Sequence, residues 1–325
     1  MKNETDITRL QKKKAVNRPD GCWINNSAII VIRRAADRLS GWFFQTLTVF
    51  SALIVFAMAA GLFLRSRPIL MDQSLNRLLF SSSWHPLRGE FGFLPFIMGT
   101  LWVTGIAVAI AVPLCILTAV YLSEYAPARI RNFSSPLIDL LAGIPSVVYG
   151  IWGVLIIVPF IKDHLAPFFG VFSTGYSALA GGMVLAVMIF PVIIHVIIEV
   201  FRAIPYEVRE ASWALGATRW QTIKHVVLRR GLAGVIAAIV LGLSRAFGET
   251  MAVLMVAGNV ARLPESVFDP AYPLPALIAN HYGEMMSVPL YDSALLFSSL
   301  ILLTVVLLFN ILSRLILIRV SRRTR

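Results

Sequence analysis

The chain has 325 residues, of which 58% are hydrophobic and 14% charged, and a formal net charge of +12. Soluble domains carry about 25% charged residues, so the composition excludes an ordinary water-soluble protein and points to an integral membrane protein. Cys22 and Cys115 are too far apart for a C-x-x-C metal pair or an expected disulfide. The absence of a G-x-x-x-x-G-K-[ST] loop argues against ATP hydrolysis by this chain alone.

A membrane-crossing helix needs about 20 mostly apolar residues. Six stretches qualify: 42–64, 94–122, 137–160, 176–201, 231–256 and 293–318. The runs are continuous rather than alternating, which predicts helices and not barrel strands. The first run starts too late and is too long for a cleaved signal peptide. Ahead of it, the tail 1–41 carries "QKKK" at 11–14, a solvated or lipid-touching charge cluster. It also carries "IRRAADR" at 32–38, which suggests a short surface helix leading into span one.

Beyond span one, "RSRPILMDQSLNRLLFSSSWHPLRGEFGFLP" reads as an external loop with a short surface helix. Pro113 removes a backbone hydrogen bond inside span two and predicts a kink. Span three opens with "LLAGIPSVVYGIWG", where Gly143 and Pro145 can bend or unwind the backbone. Membranes tolerate that only where protein or water re-satisfies the freed groups. Residues 143–150, Ser146 among them, therefore either line a path or form a packing kink. In span four, His195 and Glu199 stand at i, i+4 and read as a structural pair.

Loop 202–230, "RAIPYEVREASWALGATRWQTIKHVVLRR", predicts a helix opening at Pro205, ending at Gly216, and followed by a second short helix into span five. Glu207 and Glu210 fall in its early turns, where the helix dipole favours them. Ala211, Ser212 and Ala214 leave a low surface that fits either a groove on another protein or the lipid surface. Span five holds "GLSRAFGETMAVLMVAG", which places Arg245 and Glu249 four residues apart on one helical face. Arg245 lies about 22 Å along a helix from Arg230, inside a hydrocarbon core about 30 Å thick. A charge at that depth costs between about 2.5 and 17 kcal/mol and marks function by default. The competing reading is a pair that ties span five to a neighbour.

Of the 29 Lys and Arg residues, 22 fall in 1–41, 123–136, 202–230 and the tail from Arg314, and six in the intervening loops. The positive-inside rule then puts both termini in the cytoplasm. The net charge reflects this asymmetry and contact with anionic lipid rather than nucleic-acid binding. Loop 257–292, rich in proline and with Arg262 facing Glu265, Asp269, Glu284 and Asp292, belongs outside.

Glu210-Ala211-Ser212, three residues, Gly216, nine residues, then Val226-x-Leu228 resembles the E-A-A-x3-G-x9-I-x-L-P loop of ABC importer membrane subunits. Ser212 and Val226 depart mildly, and Arg229 replaces the final proline. "FGFLPFIMGTLWVTGIAVAIAVPL", "AVYLSEYAP", "LLAGIPSVVYGIWG" and "SRAFGETMAVLMVAGN" together resemble the C-type membrane subunit of the phosphate-specific (Pst) importer, over roughly residues 91–313.

That resemblance implies an all-α type-1 ABC importer transmembrane fold in the bacterial inner membrane. Together with the apolar runs and the charge pattern, it divides the chain into a tail 1–41, a first span and external loop 42–93, a transport domain 94–318 with coupling loop 202–230, and a basic tail 319–325. The chain would have no cofactor or ATPase site of its own. ATP and Mg would sit on two partner ATP-binding subunits. An A-type permease would complete a heterodimer, and a periplasmic or lipid-anchored phosphate-binding protein would deliver cargo. Glu210, Ala211, Ser212 and Gly216 would couple to the ATPase, and Arg245, Glu249 and Ser146 would line the substrate path. The arginine fork suits a phosphate oxygen pair, with Glu249 neutralising it when empty or accepting a protonated phosphate oxygen. Sulfate, molybdate or phosphonate permeases are the near alternatives. A secondary transporter or channel would call for inverted repeats or a selectivity ring, and a membrane enzyme for a recognisable catalytic set. None of these is evident in the sequence.

Overall fold

The computed structural model describes residues 26–284 and 290–323, with side chains over 37–284 and 290–319. The basic run at 11–14, Cys22 and Pro289 lie outside the described residues. In chain order the elements are α1 (Asn26–Asp72), α2 (Leu75–Phe80), a hairpin of β1 (Trp84–His85) and β2 (Glu90–Phe91), α3 (Leu94–Tyr125), α4 (Ala128–Ala142) and α5 (Ser146–Phe168). Then follow α6 (Ala178–Arg202), α7 (Tyr206–Ala214), α8 (Arg219–Phe247), α9 (Met251–Val256), α10 (Leu274–His281) and α11 (Tyr291–Arg323). Among the described residues, six helices are long and apolar enough to cross a membrane, one for each expected span.

Four boundaries differ from the sequence expectation. Residues 32–38 form no separate surface helix but belong to α1, which runs unbroken from Asn26. The "RSRPILMD" stretch is not loop but the last turns of α1, which runs through Pro68 to Asp72. Ser66 and Ile69 on that segment are fully buried, so tertiary packing outweighs the proline signal. Span three does not start at 137: Ala128–Ala142 is a separate helix, and the membrane-length helix begins at Ser146, after the break at Gly143–Pro145. Span five does not reach 256, because α8 stops at Phe247 and α9 begins only at Met251. Helix α2 supplies the short helix expected after span one, whereas Pro113 is carried inside a continuous α3.

The chain forms two compact units that divide after Ala60. In the first, the helix exposes Trp42, Phe43, Phe44, Phe50 and Phe56, the condition of lipid-facing side chains. In the second, α3 and α6 make the central pair. Lipid offers no hydrophobic drive for helices to associate, so small residues that let backbones close in carry the contact. Ala107, Ala111, Cys115 and Ala119, one helical turn apart, are fully buried on α3. On α6, Gly181 and Gly182 receive Val103 and Ile106. A second core near the hairpin is aromatic: Trp84 meets Phe91, Phe93 and Phe96 edge-on at 4.8–5.6 Å between ring centres. Tyr272, Tyr291 and Phe297 complete it.

Candidate functional site

The chemistry gathers in two places: the break between α8 and α9, and the end of the bundle carrying α7. At the first, Gly248 ends α8 and Glu249 turns the chain. The Glu249 carboxylate accepts the Ala252 backbone N–H at 3.1 Å, which satisfies one of the free donors at the start of α9. Arg245 and Glu249 are therefore not two members of one helical face, and among the described residues no ion pair joins them. A single glycine interrupts the register on which that expectation rested. Both side chains are half-buried.

Helix α9 packs on the first turns of α5. Gly150 permits this: a Cβ there would stand 2.6 Å from Met255 Sδ and 3.2 Å from Ala252 Cα. Gly153 does the same against Val256 and Val184. At the break before α5 the Leu141 carbonyl accepts the Ile144 N–H at 3.3 Å and the Tyr149 hydroxyl at 2.7 Å, which ties the two sides of the break together. Ser146 stands half-buried one turn before Tyr149. The two interrupted spans thus meet near their interruptions, α9 lying against the first turns of α5 and Arg245 closing α8 one short turn before α9.

At the other end of α8 the loop forms the expected helix–glycine–helix. Pro205 precedes α7, and the helix closes in a Schellman turn: Ala217 N–H donates to Ser212 O at 3.2 Å and Gly216 N–H to Trp213 O at 2.9 Å. Gly216 takes φ +84°, which a side chain disfavours although the surrounding space is open. Thr218 and Gln221 form a reciprocal capping box that starts α8. Ser212 and Thr222 hydroxyls bond at 2.9 Å and tie the two arms together. Glu210, Ala211, Leu215 and Gly216 are exposed at the turn.

Arg209 anchors this hairpin and was not foreseen. Its guanidinium donates to both carboxylate oxygens of Glu124, at 2.7 and 3.2 Å, and to the Phe201 and Ile204 carbonyls at 2.9 and 2.8 Å. The side chains are only 9% and 11% exposed. One residue of α7 therefore holds the end of α3 and caps the carbonyl end of α6, where a cation is favoured. The partners lie 85 positions apart, so no local spacing reveals them. Nearby, His195 faces Asp139 of α4 at 3.6 Å, while Glu199 pairs with Arg202 at 3.1 Å. The expected His195–Glu199 pair is replaced by these two.

The opposite end carries a cavity of about 740 Å³ beyond α9, lined by Phe172, Tyr176, Asn259 and Asp269 among others. Asp269 accepts the Glu265 and Ser266 N–H groups at 3.0 and 2.8 Å, which fixes the proline-rich loop. On the same loop, burial raises the Tyr272 phenol above its ordinary pKa; a hydrogen bond from Asn280 opposes the shift and the Glu284 charge adds to it.

Residues 111–325 match the family described as "Binding-protein-dependent transport system inner membrane component". The chain is 36% identical to the phosphate transport system permease protein PstC of Xylella fastidiosa, over 90% of this chain and 94% of that one. It is 42% identical to a probable ABC transporter permease protein of Bacillus subtilis, over 73% and 75%. Among solved structures, a bacterial alginate ABC transporter superposes with a TM-score of 0.55 at 16% identity, covering 87% of this chain and 97% of the other.

Proposed function

The chain belongs to the family of binding-protein-dependent transport system inner membrane components and is a phosphate transport permease; on that premise we propose how its two sites divide the work. The observation that carries the reading is Arg245: a cation about 22 Å inside a span, where the helix ends, without an ion-pair partner among the described residues. Such a guanidinium meets a phosphate oxygen pair in a fork and, being singly charged, lets the ion go again. Glu249 supports it indirectly by fixing the first turn of α9. Ser146 offers a hydroxyl at the first turn of α5, and Tyr149, its own hydroxyl held by the Leu141 carbonyl, fixes that turn.

In this reading the basic end, with α7, is cytoplasmic and both termini lie on that side, as the Lys and Arg asymmetry favours. A second, A-type permease subunit completes the path as a heterodimer. Two ATP-hydrolysing subunits carry ATP and Mg, and one of them receives Glu210, Ala211, Ser212 and Gly216. The binding protein docks on the acidic, proline-rich loop outside. Reconstituted vesicles holding the full assembly should take up labelled phosphate only with ATP and the binding protein, and excess sulfate should not compete. Uptake without ATP, or full competition by sulfate, would overturn the reading.

A further inference from the structure

Helix α7 has two faces, and the motif accounts for only one of them. Glu210, Ala211 and Leu215 face out from the bundle; Leu215 is 90% exposed and forms a knob at the hairpin tip. Tyr206, Arg209 and Trp213, at i, i+3 and i+7, line the other face and wall a cavity of about 590 Å³. The cavity's remaining walls come from the end of α3, from Arg131 of α4, from Arg202 and from Arg219 at the start of α8. Its lining holds four arginines against two glutamates, Glu124 and Glu207. Arg209 is consumed by Glu124 and Arg202 by Glu199, whereas Arg131 and Arg219 are exposed and form no ion pair among the described residues. Trp213 brings an indole N–H that is buried and has no acceptor among the described residues.

We propose that this cavity is a socket for an acidic segment of the ATP-hydrolysing subunit, so that the permease receives a projection from its partner beside the knob it presents. The inference rests on the docking role given above to α7. Three observations favour a protein segment over a free ion. The cavity adjoins the exposed hairpin face that the ATPase must cover, so an occupant arrives with the partner. Its volume falls in the range that takes whole organic ligands, about 300–1,000 Å³, and a lone tetrahedral oxyanion would leave most of it unfilled. Its walls combine aromatic and apolar surface (Tyr206, Trp213, Ile204, Ile223) with a cationic rim, the chemistry of a side-chain cluster that includes a carboxylate. A socket and a knob on one hairpin would transmit both push and pull, where a knob alone transmits only push.

Photo-crosslinking in the assembled complex tests this. A photoreactive residue is placed in turn at Gly216, Arg131 and Arg219, and captured peptides are sequenced. The expected result is capture of the ATPase subunit at all three positions, with an Asp- or Glu-containing peptide at 131 and 219 distinct from the one at 216. In parallel, Arg131→Glu/Arg219→Glu should weaken ATPase binding roughly tenfold at low salt, with the difference closing at high salt. Capture at 216 but not at 131 or 219, with inorganic phosphate binding lost in the double variant, would overturn the socket in favour of an ion site and leave the docking role of α7 standing. Absence of capture at all three positions would overturn that role as well.

Discussion

Glu124→Gln tests the clamp that holds the coupling hairpin to the bundle. The pair it breaks is almost dry, with side chains 9% and 11% exposed, and bidentate at 2.7 and 3.2 Å. Removing one partner of a buried pair costs about 3–5 kcal/mol, because the other charge stays buried. Glutamine still accepts one bond through its carbonyl, and Arg209 keeps the Phe201 and Ile204 carbonyls, so the cost should sit near the lower bound, about 3 kcal/mol. Arg209→Met should cost more. It also strips the Ile204 carbonyl of its donor, at about 1–3 kcal/mol, while the Phe201 carbonyl keeps the Ile204 backbone N–H. The double variant removes the stranded charge but not the stranded Ile204 carbonyl, so rescue should be partial, with a coupling energy of about 1–3 kcal/mol. Denaturant unfolding of the purified assembly, with protease cleavage of loop 202–218 as a local readout, gives all four corners of the cycle. Additivity within about 0.5 kcal/mol would refute the clamp.

Gly216→Val meets open space but must hold φ +84°, at a strain of about 1–2 kcal/mol; ATP hydrolysed per phosphate moved should rise while complex abundance stays near wild type. Gly150→Val should part α5 from α9, since the Ala252 backbone cannot yield as a side-chain tip can, and phosphate uptake by the assembled complex should fall by at least tenfold. Glu249→Gln keeps an acceptor for Ala252 N–H and should be mild, whereas Glu249→Ala should cost about 0.5–2 kcal/mol as a lost helix cap. Equal thermal unfolding of the two Glu249 variants would contradict the capping role.

The six spans and the hairpin were legible because they rest on local signals. Apolar runs of fixed length, a glycine where a helix must turn left, and a Thr-x-x-Gln box each state their own physics. The break at Gly143–Pro145 was visible for the same reason. The break at Gly248 was not: one glycine inside an apolar run looks like any other membrane glycine, and only Glu249 folding back on Ala252 gives it away. Residues 65–72 misled in the opposite sense, since Pro and Arg suggest a loop while burial of Ser66 and Ile69 keeps the helix going. Glu124–Arg209 joins parts of the chain that only the fold brings together.

The central claim is that Arg245 touches the transported ion, and the direct measurement is phosphate flux per assembled complex for Arg245→Gln and Arg245→Lys. Both variants should insert, assemble and bind the ATPase at wild-type abundance, since no ion pair among the described residues depends on Arg245. Glutamine should abolish flux, and lysine, which keeps the charge but loses the planar fork, should leave it impaired. Normal flux in Arg245→Gln would contradict the claim. So would a loss of flux that follows a matching loss of assembled complex, because that would make Arg245 a structural tie.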